Sequence, residues 1–167
     1  MNLWAELVSF YHLWMAARRA RKGKRFLAAA AKFERNLGPN LTALRDELIT
    51  GSYRPGAYTT FTIFEPAKRL ISAAPYRDRV VHHALCALIE PLFERSFIFD
   101  SYANRTGKGT HAALDRATQY ARRFPFVLQC DIRLFFPSLD HRILMTRLAR
   151  KIPGCQSAPI VPADSRE

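Results

Sequence analysis

Residues Phe126 to Ile132 alternate in character. Phe126, Leu128, Cys130 and Ile132 fall on one face, and Val127, Gln129 and Asp131 on the other. A period of two is the mark of a half-buried strand, and a strand needs neighbours to satisfy its backbone donors and acceptors. The chain offers few. Tyr58 to Phe64 is rich in β-branched and aromatic residues, and Arg69 to Ala73 continues after Pro66, so these two read as a hairpin with each other. The strand at 126–132 therefore reads as the start of a sheet whose remaining strands do not follow.

Everything else that is periodic is helical. Leu3, Leu7, Tyr11 and Trp14, with Trp4, Val8 and Met15 beside them, predict one N-terminal amphipathic helix broken at Gly23. A second runs from about Arg25 to Asn36 and ends near Gly38-Pro39. A third carries Leu41, Leu44 and Leu48 and stops at Gly51. Tyr53-Arg54-Pro55-Gly56 reads as a turn. Pro75 suits a first helical position, ahead of a buried stripe of Val81, Ala84, Leu85, Leu88 and Leu92. Thr110 is placed to cap a helix through about Arg123, with Leu114, Ala117 and Ala121 inward. A last helix follows Ser138, with Asp140 placed as its cap and Ile143, Leu144, Arg147 and Leu148 at helical spacing. From Pro153 onward, prolines, Gly154, Ser157 and Ser165 predict a disordered tail. The fold class is α+β and helix-rich.

Charge narrows the function. The 167 residues hold 26 Lys and Arg against 14 Asp and Glu, a formal net charge of +12. The cations come in blocks. The densest is Arg18, Arg19, Arg21, Lys22, Lys24, Arg25, Lys32 and Arg35, opposed locally by Glu34 alone. Others are Lys68, Arg69, Arg77 and Arg79, then Arg105, Lys108, Arg116, Arg122 and Arg123, then Arg133, Arg142, Arg147, Arg150 and Lys151. Phosphate neutralisation with counterion release uses such blocks whatever the base sequence; the competing reading is solvated helix faces. No apolar run is long enough to span a membrane, and an apolar start followed by basic residues reverses the order of a secretory signal. Cys86, Cys130 and Cys155 are scattered and odd in number, against a disulfide framework or a zinc cluster.

Asp131 is the candidate for chemistry. It ends an apolar strand, and a carboxylate there can bind a divalent ion while the aromatic Phe136, five residues on, shapes the adjoining pocket. Phosphoryl transfer with two metal ions about 3.5–4 Å apart needs several such carboxylates. One is not enough, and on spacing alone the preferred reading is an aspartate that merely caps or terminates the strand. Other signals have plain readings too. Arg69 could pair with Glu65 across the hairpin, and Phe135-Phe136 could be core. His82 and Cys86, four apart on one helix face, make half a zinc site at most, with core packing favoured for Cys86. Gly107-Lys108-Gly109-Thr110 lacks the glycine spacing of a P-loop, although a helix N-terminus there could attract a phosphate.

Three segments in order resemble a known family. Asp131-Ile132-Arg133-Leu134-Phe135-Phe136-Pro137-Ser138-Leu139-Asp140-His141 resembles the first palm motif of bacterial retroelement reverse transcriptases. Pro66 to Leu85, with Lys68, Arg69, Asp78, Arg79, His82 and His83, resembles their fingers segment. Asp100 to His111, with Asn104, Arg105, Gly107, Lys108 and Gly109, resembles the block between. The combination looks most like the reverse transcriptases of diversity-generating retroelements, with those of group II introns more distant.

That resemblance implies right-hand polymerase fingers followed by the beginning of the palm sheet. It divides the chain into a basic helical region (1–52), fingers (53–125), the start of the palm (126–152) and the tail (153–167). It implies an RNA-directed DNA polymerase, bacterial or phage-encoded and cytoplasmic, copying an RNA template with a DNA primer and deoxynucleoside triphosphates. Mg²⁺ would be the cofactor, with Mn²⁺ as a substitute. By the same resemblance Asp131 is the first metal-binding aspartate, and the Ile132 carbonyl a further ligand. Phe136 is the aromatic gate under the incoming sugar. Arg69 contacts the triphosphate, which suits a guanidinium. Lys68 assists it, although the family's lysine position is held here by Ala67. Asn104, Arg105 and Lys108 hold template or primer backbone, and Arg18, Arg19, Arg21, Lys22, Lys24 and Arg25 belong to the nucleic-acid surface. A small basic accessory protein accompanies retroelements of this kind.

The family's Tyr-x-Asp-Asp motif does not occur, and no Asp-Asp pair exists in the sequence. The sequence thus predicts a fragment, truncated before the rest of palm and thumb and inactive alone. The alternative is a non-catalytic RNA- or DNA-binding module that kept the fingers.

Overall fold

The computed structural model describes residues 2–64 and 68–152. The chain forms two compact units, Met1–Glu90 and Pro91–Glu167. The tail predicted from Pro153 onward, Cys155 and Glu65 lie outside the described residues.

In the first unit the single N-terminal helix expected from periodicity is two, α1 (Leu3–Leu7) and α2 (Phe10–Arg21). Ser9 makes the break. Its hydroxyl accepts the His12 N–H at 3.2 Å, so a polar cap interrupts an otherwise continuous apolar stripe. α2 then buries Leu13, Ala16, Ala17 and Ala20, one helical face made mostly of methyl groups. α3 (Ala28–Arg35) follows, and α4 (Leu37–Thr50) buries Leu41, Leu44 and Leu48, the residues its periodicity selected. Gly38-Pro39 does not end a helix here; it sits in the first turn of α4. There the missing proline N–H removes a donor that has no intrahelical partner anyway. Gly51, at φ 70°, ends α4 in the left-handed conformation that glycine adopts freely.

The hairpin forms where its residues predict it. β1 (Thr59–Ile63) and β2 (Arg69–Ala73) pair antiparallel, from Thr59 opposite Ala73 to Ile63 opposite Arg69. The expected turn at Tyr53 to Gly56 has no regular turn structure. α5 (Tyr76–Glu94) begins after Pro75, whose carbonyl accepts the Arg79 N–H at 3.1 Å. It buries Tyr76, Asp78, Val80, Ala84 and Leu88. The stripe is rotated from the expected one: Val80 is wholly buried and Leu85 is exposed. Cys86 is also exposed rather than core.

The second unit contains α6 (Thr110–Arg123) and α7 (His141–Lys151). Gly109 occupies the cap position of α6 and Thr110 is its first residue. Leu114, Ala117 and Ala121, expected inward, are exposed among the described residues. They line an open apolar groove of about 600 Å³ with Tyr120, Phe124, Phe126, Val127 and Leu128. The alternating segment 126–132 is not a strand. The reason is the absence of a ladder partner: β1 and β2 pair with each other and form the only sheet among the described residues. Every fully buried side chain among the described residues belongs to the first unit.

Asp140 caps α7 as its position suggested. One carboxylate oxygen accepts from Arg142 N–H at 2.7 Å and Ile143 N–H at 3.2 Å. Those two backbone donors, Ile143 foremost, hold the Asp140 carboxyl below its ordinary value of 3.8. A depressed folded-state value stabilises above the unfolded value and is lost as pH falls through the folded one. Asp140→Ala is therefore expected to accelerate amide exchange at Arg142 and Ile143 at neutral pH, with the difference from wild type vanishing in strong acid. Equal exchange rates at neutral pH would show that the cap contributes nothing.

Candidate functional site

In the first unit the C-terminal end of α2 carries the densest cationic surface. Met15, Arg18, Arg19, Arg21, Lys22 and Arg25 line a concavity of about 360 Å³. Three cations crowd the last turn of the helix, where the partial negative charge of its exposed carbonyls offsets some of their repulsion. Arg21 has a local counter-charge in Glu34, at 3.6 Å, and Arg18 lies over the Trp14 ring at 4.9 Å from its centroid. The field reaches α5: burial first, then Lys24 and Arg19, hold the His83 imidazole below its usual value. Such a surface concentrates positive potential.

Lys68 and Arg69 are exposed at the start of β2 in the same unit. The segment leading into their hairpin is fastened by a residue that the sequence did not single out as a site. Asp78 is 2% exposed; its carboxylate accepts from the Tyr53 hydroxyl at 2.8 Å and from the Gly56 N–H at 2.8 Å. Arg77 pairs with Glu47 and lies over the Tyr53 ring at 5.2 Å. A side chain at position 56 would bring its Cβ within 2.9 Å of the Pro75 ring, so glycine permits the close approach. The Tyr-x-x-Gly spacing ahead of a helix bearing an aspartate was the available clue.

In the second unit Asp131, Ile132 and Phe136 are all exposed. Phe135 and Phe136 meet edge to face, with ring centroids 5.2 Å apart. They sit on a tight turn: Leu134 adopts φ 52°, uncommon for a bulky side chain, and its carbonyl accepts from the Ser138 hydroxyl at 2.8 Å. Among the described residues no group of three or more His, Cys, Asp or Glu side chains converges. Asp131 therefore has no partner carboxylates there, and the described residues do not by themselves fit a pair of divalent ions.

Asn104, Arg105 and Lys108 lie together on the loop before α6, and the two cations have partners close by. Asn104 takes φ 55°, which asparagine tolerates. Arg105 pairs with Glu94 at 2.8 Å and donates to the Ile98 and Ser101 carbonyls at 3.0 and 3.1 Å. Lys108 donates to the Phe99 carbonyl at 2.8 Å. Beside them stands a second unanticipated hub, Asp100, which accepts from Arg116 at 2.9 Å, Tyr102 at 2.9 Å and Tyr120 at 3.1 Å. Arg116 first, then the two hydroxyls, hold its carboxyl below the ordinary range.

These features define a basic, helix-rich chain with a small two-stranded sheet and cationic surfaces in each compact unit. Over 138 residues it is 29% identical to "Nuclear intron maturase 2, mitochondrial" of Arabidopsis thaliana, a match covering 73% of this chain and 19% of that protein. Over 123 residues it is 29% identical to "Protein YkfC" of Escherichia coli (strain K12), covering 70% of this chain and 32% of that protein. No protein-family model matches. The chain is thus distantly similar to an intron maturase and spans about a third or less of the curated relatives it matches. No helix among the described residues is long and apolar enough to cross a membrane.

Proposed function

We propose that this chain supplies the fingers and the first palm segment of an RNA-directed DNA polymerase of the diversity-generating retroelement or group II intron-like kind. The observation that carries the reading is the similarity to an intron maturase over 73% of the chain. The three motifs around Arg69, Arg105 and Asp131, in that order, support it, as do the cationic surfaces. In this reading the basic face of α2 holds the phosphate backbone of a template–primer duplex, and Lys68 and Arg69 engage the triphosphate of an incoming deoxynucleotide. Phe136 packs against the sugar. Asp131 offers one carboxylate toward Mg²⁺ or Mn²⁺, which would supply charge stabilisation at the transferring phosphate. The sequence has no Tyr-x-Asp-Asp motif to supply the other carboxylates, so in this reading the chain alone is expected to be inactive.

The test joins this chain to the remaining length of a longer maturase-like relative and follows primer extension on an RNA template. Extension is expected, and Asp131→Ala should reduce it to background. Extension that survives this substitution would overturn the assignment of Asp131 and with it the polymerase reading. The solitary exposure of Asp131 favours a second reading, a non-catalytic nucleic-acid-binding module. Filter binding of the isolated chain identifies it: in that case binding is salt-sensitive and indifferent to Mg²⁺, and the joined protein does not extend primers.

A further inference from the structure

Aromatic rings and cations alternate across one surface of the second unit. Phe97 lies under Arg105, 5.3 Å from ring centroid to guanidinium. The Lys108 ammonium stands 3.7 Å from the Phe99 centroid and 5.0 Å from that of Tyr102. Arg116 lies 5.7 Å from Phe99 and 4.6 Å from Tyr120, which in turn meets Phe124 at 6.0 Å. Phe99 is 71% exposed, although a phenylalanine gains nothing from water. Asp100 fixes the array, gripping Arg116, Tyr102 and Tyr120 at once, and Arg116 also donates to the Tyr120 hydroxyl at 3.0 Å.

The charge of this region says what covers it. Residues 91–152 carry eleven Lys and Arg against five Asp and Glu. Among the described residues Lys108 has a carbonyl and two ring faces but no carboxylate partner. An apolar protein surface would leave those charges desolvated; a polyanion carrying flat rings satisfies both features. Exposed rings spaced among cations are the elements by which single strands are held without sequence preference, bases on rings and phosphates on cations.

Resting on the nucleic-acid reading above, we propose that Phe99, flanked by Tyr102 and Tyr120 that Asp100 holds, forms a stacking platform for a base of a single-stranded nucleic acid. Lys108 and Arg116 exchange the ring faces for the strand's phosphates as the bases arrive.

The experiment compares the full chain's affinity for a twelve-nucleotide oligothymidine with that for the same sugar–phosphate strand lacking bases. Wild type is expected to prefer the base-bearing strand by about ten-fold, within the range that stacking of one base provides. Phe99→Ala should erase the preference while leaving the salt slope unchanged. Phe99→Leu, which keeps the apolar bulk, should erase it equally, and Phe99→Trp should retain it. Lys108→Gln should instead lower the salt slope by about 0.7. Equal affinity of wild type for both strands, or a preference that survives in Phe99→Ala and Phe99→Leu, overturns the platform while leaving nucleic-acid binding intact. Failure to bind either strand at low salt overturns the nucleic-acid reading, and the platform with it.

Discussion

Asp78→Ala is expected to lower the unfolding free energy of the first unit by about 3 kcal/mol, the sum of two hydrogen bonds to a buried charge reduced by partial rehydration of their donors. The carboxylate is 2% exposed and meets two donors of different kinds. The Tyr53 hydroxyl can turn and accept instead; the Gly56 N–H cannot. Asp78→Asn should therefore cost less than half as much, its amide oxygen serving Gly56 and its NH₂ donating to Tyr53. Urea unfolding followed by far-UV circular dichroism measures both. An unchanged midpoint for Asp78→Ala would show that the fastening of residues 53–56 to α5 is incidental. The same contact sets an alkaline limit. Burial, reinforced by the hydrogen bond to Asp78, raises the Tyr53 hydroxyl well above its ordinary value of 10, and burial with Glu34 does the same for Tyr76. A raised folded-state value means the contribution is complete below pH 10. It is lost as pH climbs from there toward the folded values, because the unfolded chain then releases protons that the folded one keeps.

Replacing Arg18, Arg19, Lys22 and Arg25 together by glutamine is expected to weaken binding to a single-stranded RNA roughly a hundred-fold or more at 50 mM salt. It should also flatten the plot of log affinity against log salt by about 3. Arg21 is spared because Glu34 stands 3.6 Å from its guanidinium. The four replaced cations line an exposed concavity and make no ion pair among the described residues, and none of them belongs to the buried face of α2. Fluorescence anisotropy across a salt series gives the slope. An unchanged slope would reduce the patch to a solvated helix face and remove it from the nucleic-acid surface.

How much of this was legible in the sequence depended on how local each signal is. The hairpin strands, the span of α6, the Gly51 stop and the Asp140 cap were readable because each is decided within a few residues. The division of the first helix was missed because Ser9 lies inside an apolar stripe whose period it does not disturb. Helical spacing alone could not choose between Val80 and Val81 for the buried face of α5; packing of that helix chose Val80. The segment 126–132 shows the reverse: its alternation reads as a strand, yet pairing is a property of two segments. Site residues followed the same rule. Asp131, Arg69 and Phe136 stood out by motif. Asp78 and Asp100 lay within the motif segments, but their roles became visible only through partners at positions 53, 56, 116 and 120. Sequence placed Arg105 and Lys108 toward a ligand, and the structure adds the Glu94 carboxylate and the loop carbonyls that they bind.

Among the described residues, the confinement of wholly buried side chains to the first unit has a consequence for how the chain opens. Protection from solvent exchange and from proteases follows the free energy of the smallest opening that frees an amide, and that energy is low where little apolar surface is sequestered. The helices around Leu13, Leu41 and Leu44 are therefore expected to exchange slowest, and α6 and α7, which bury no residue, to open at lower cost. A ligand that orders the second unit must supply that ordering energy from its own binding, so its measured affinity understates the strength of the contacts it makes.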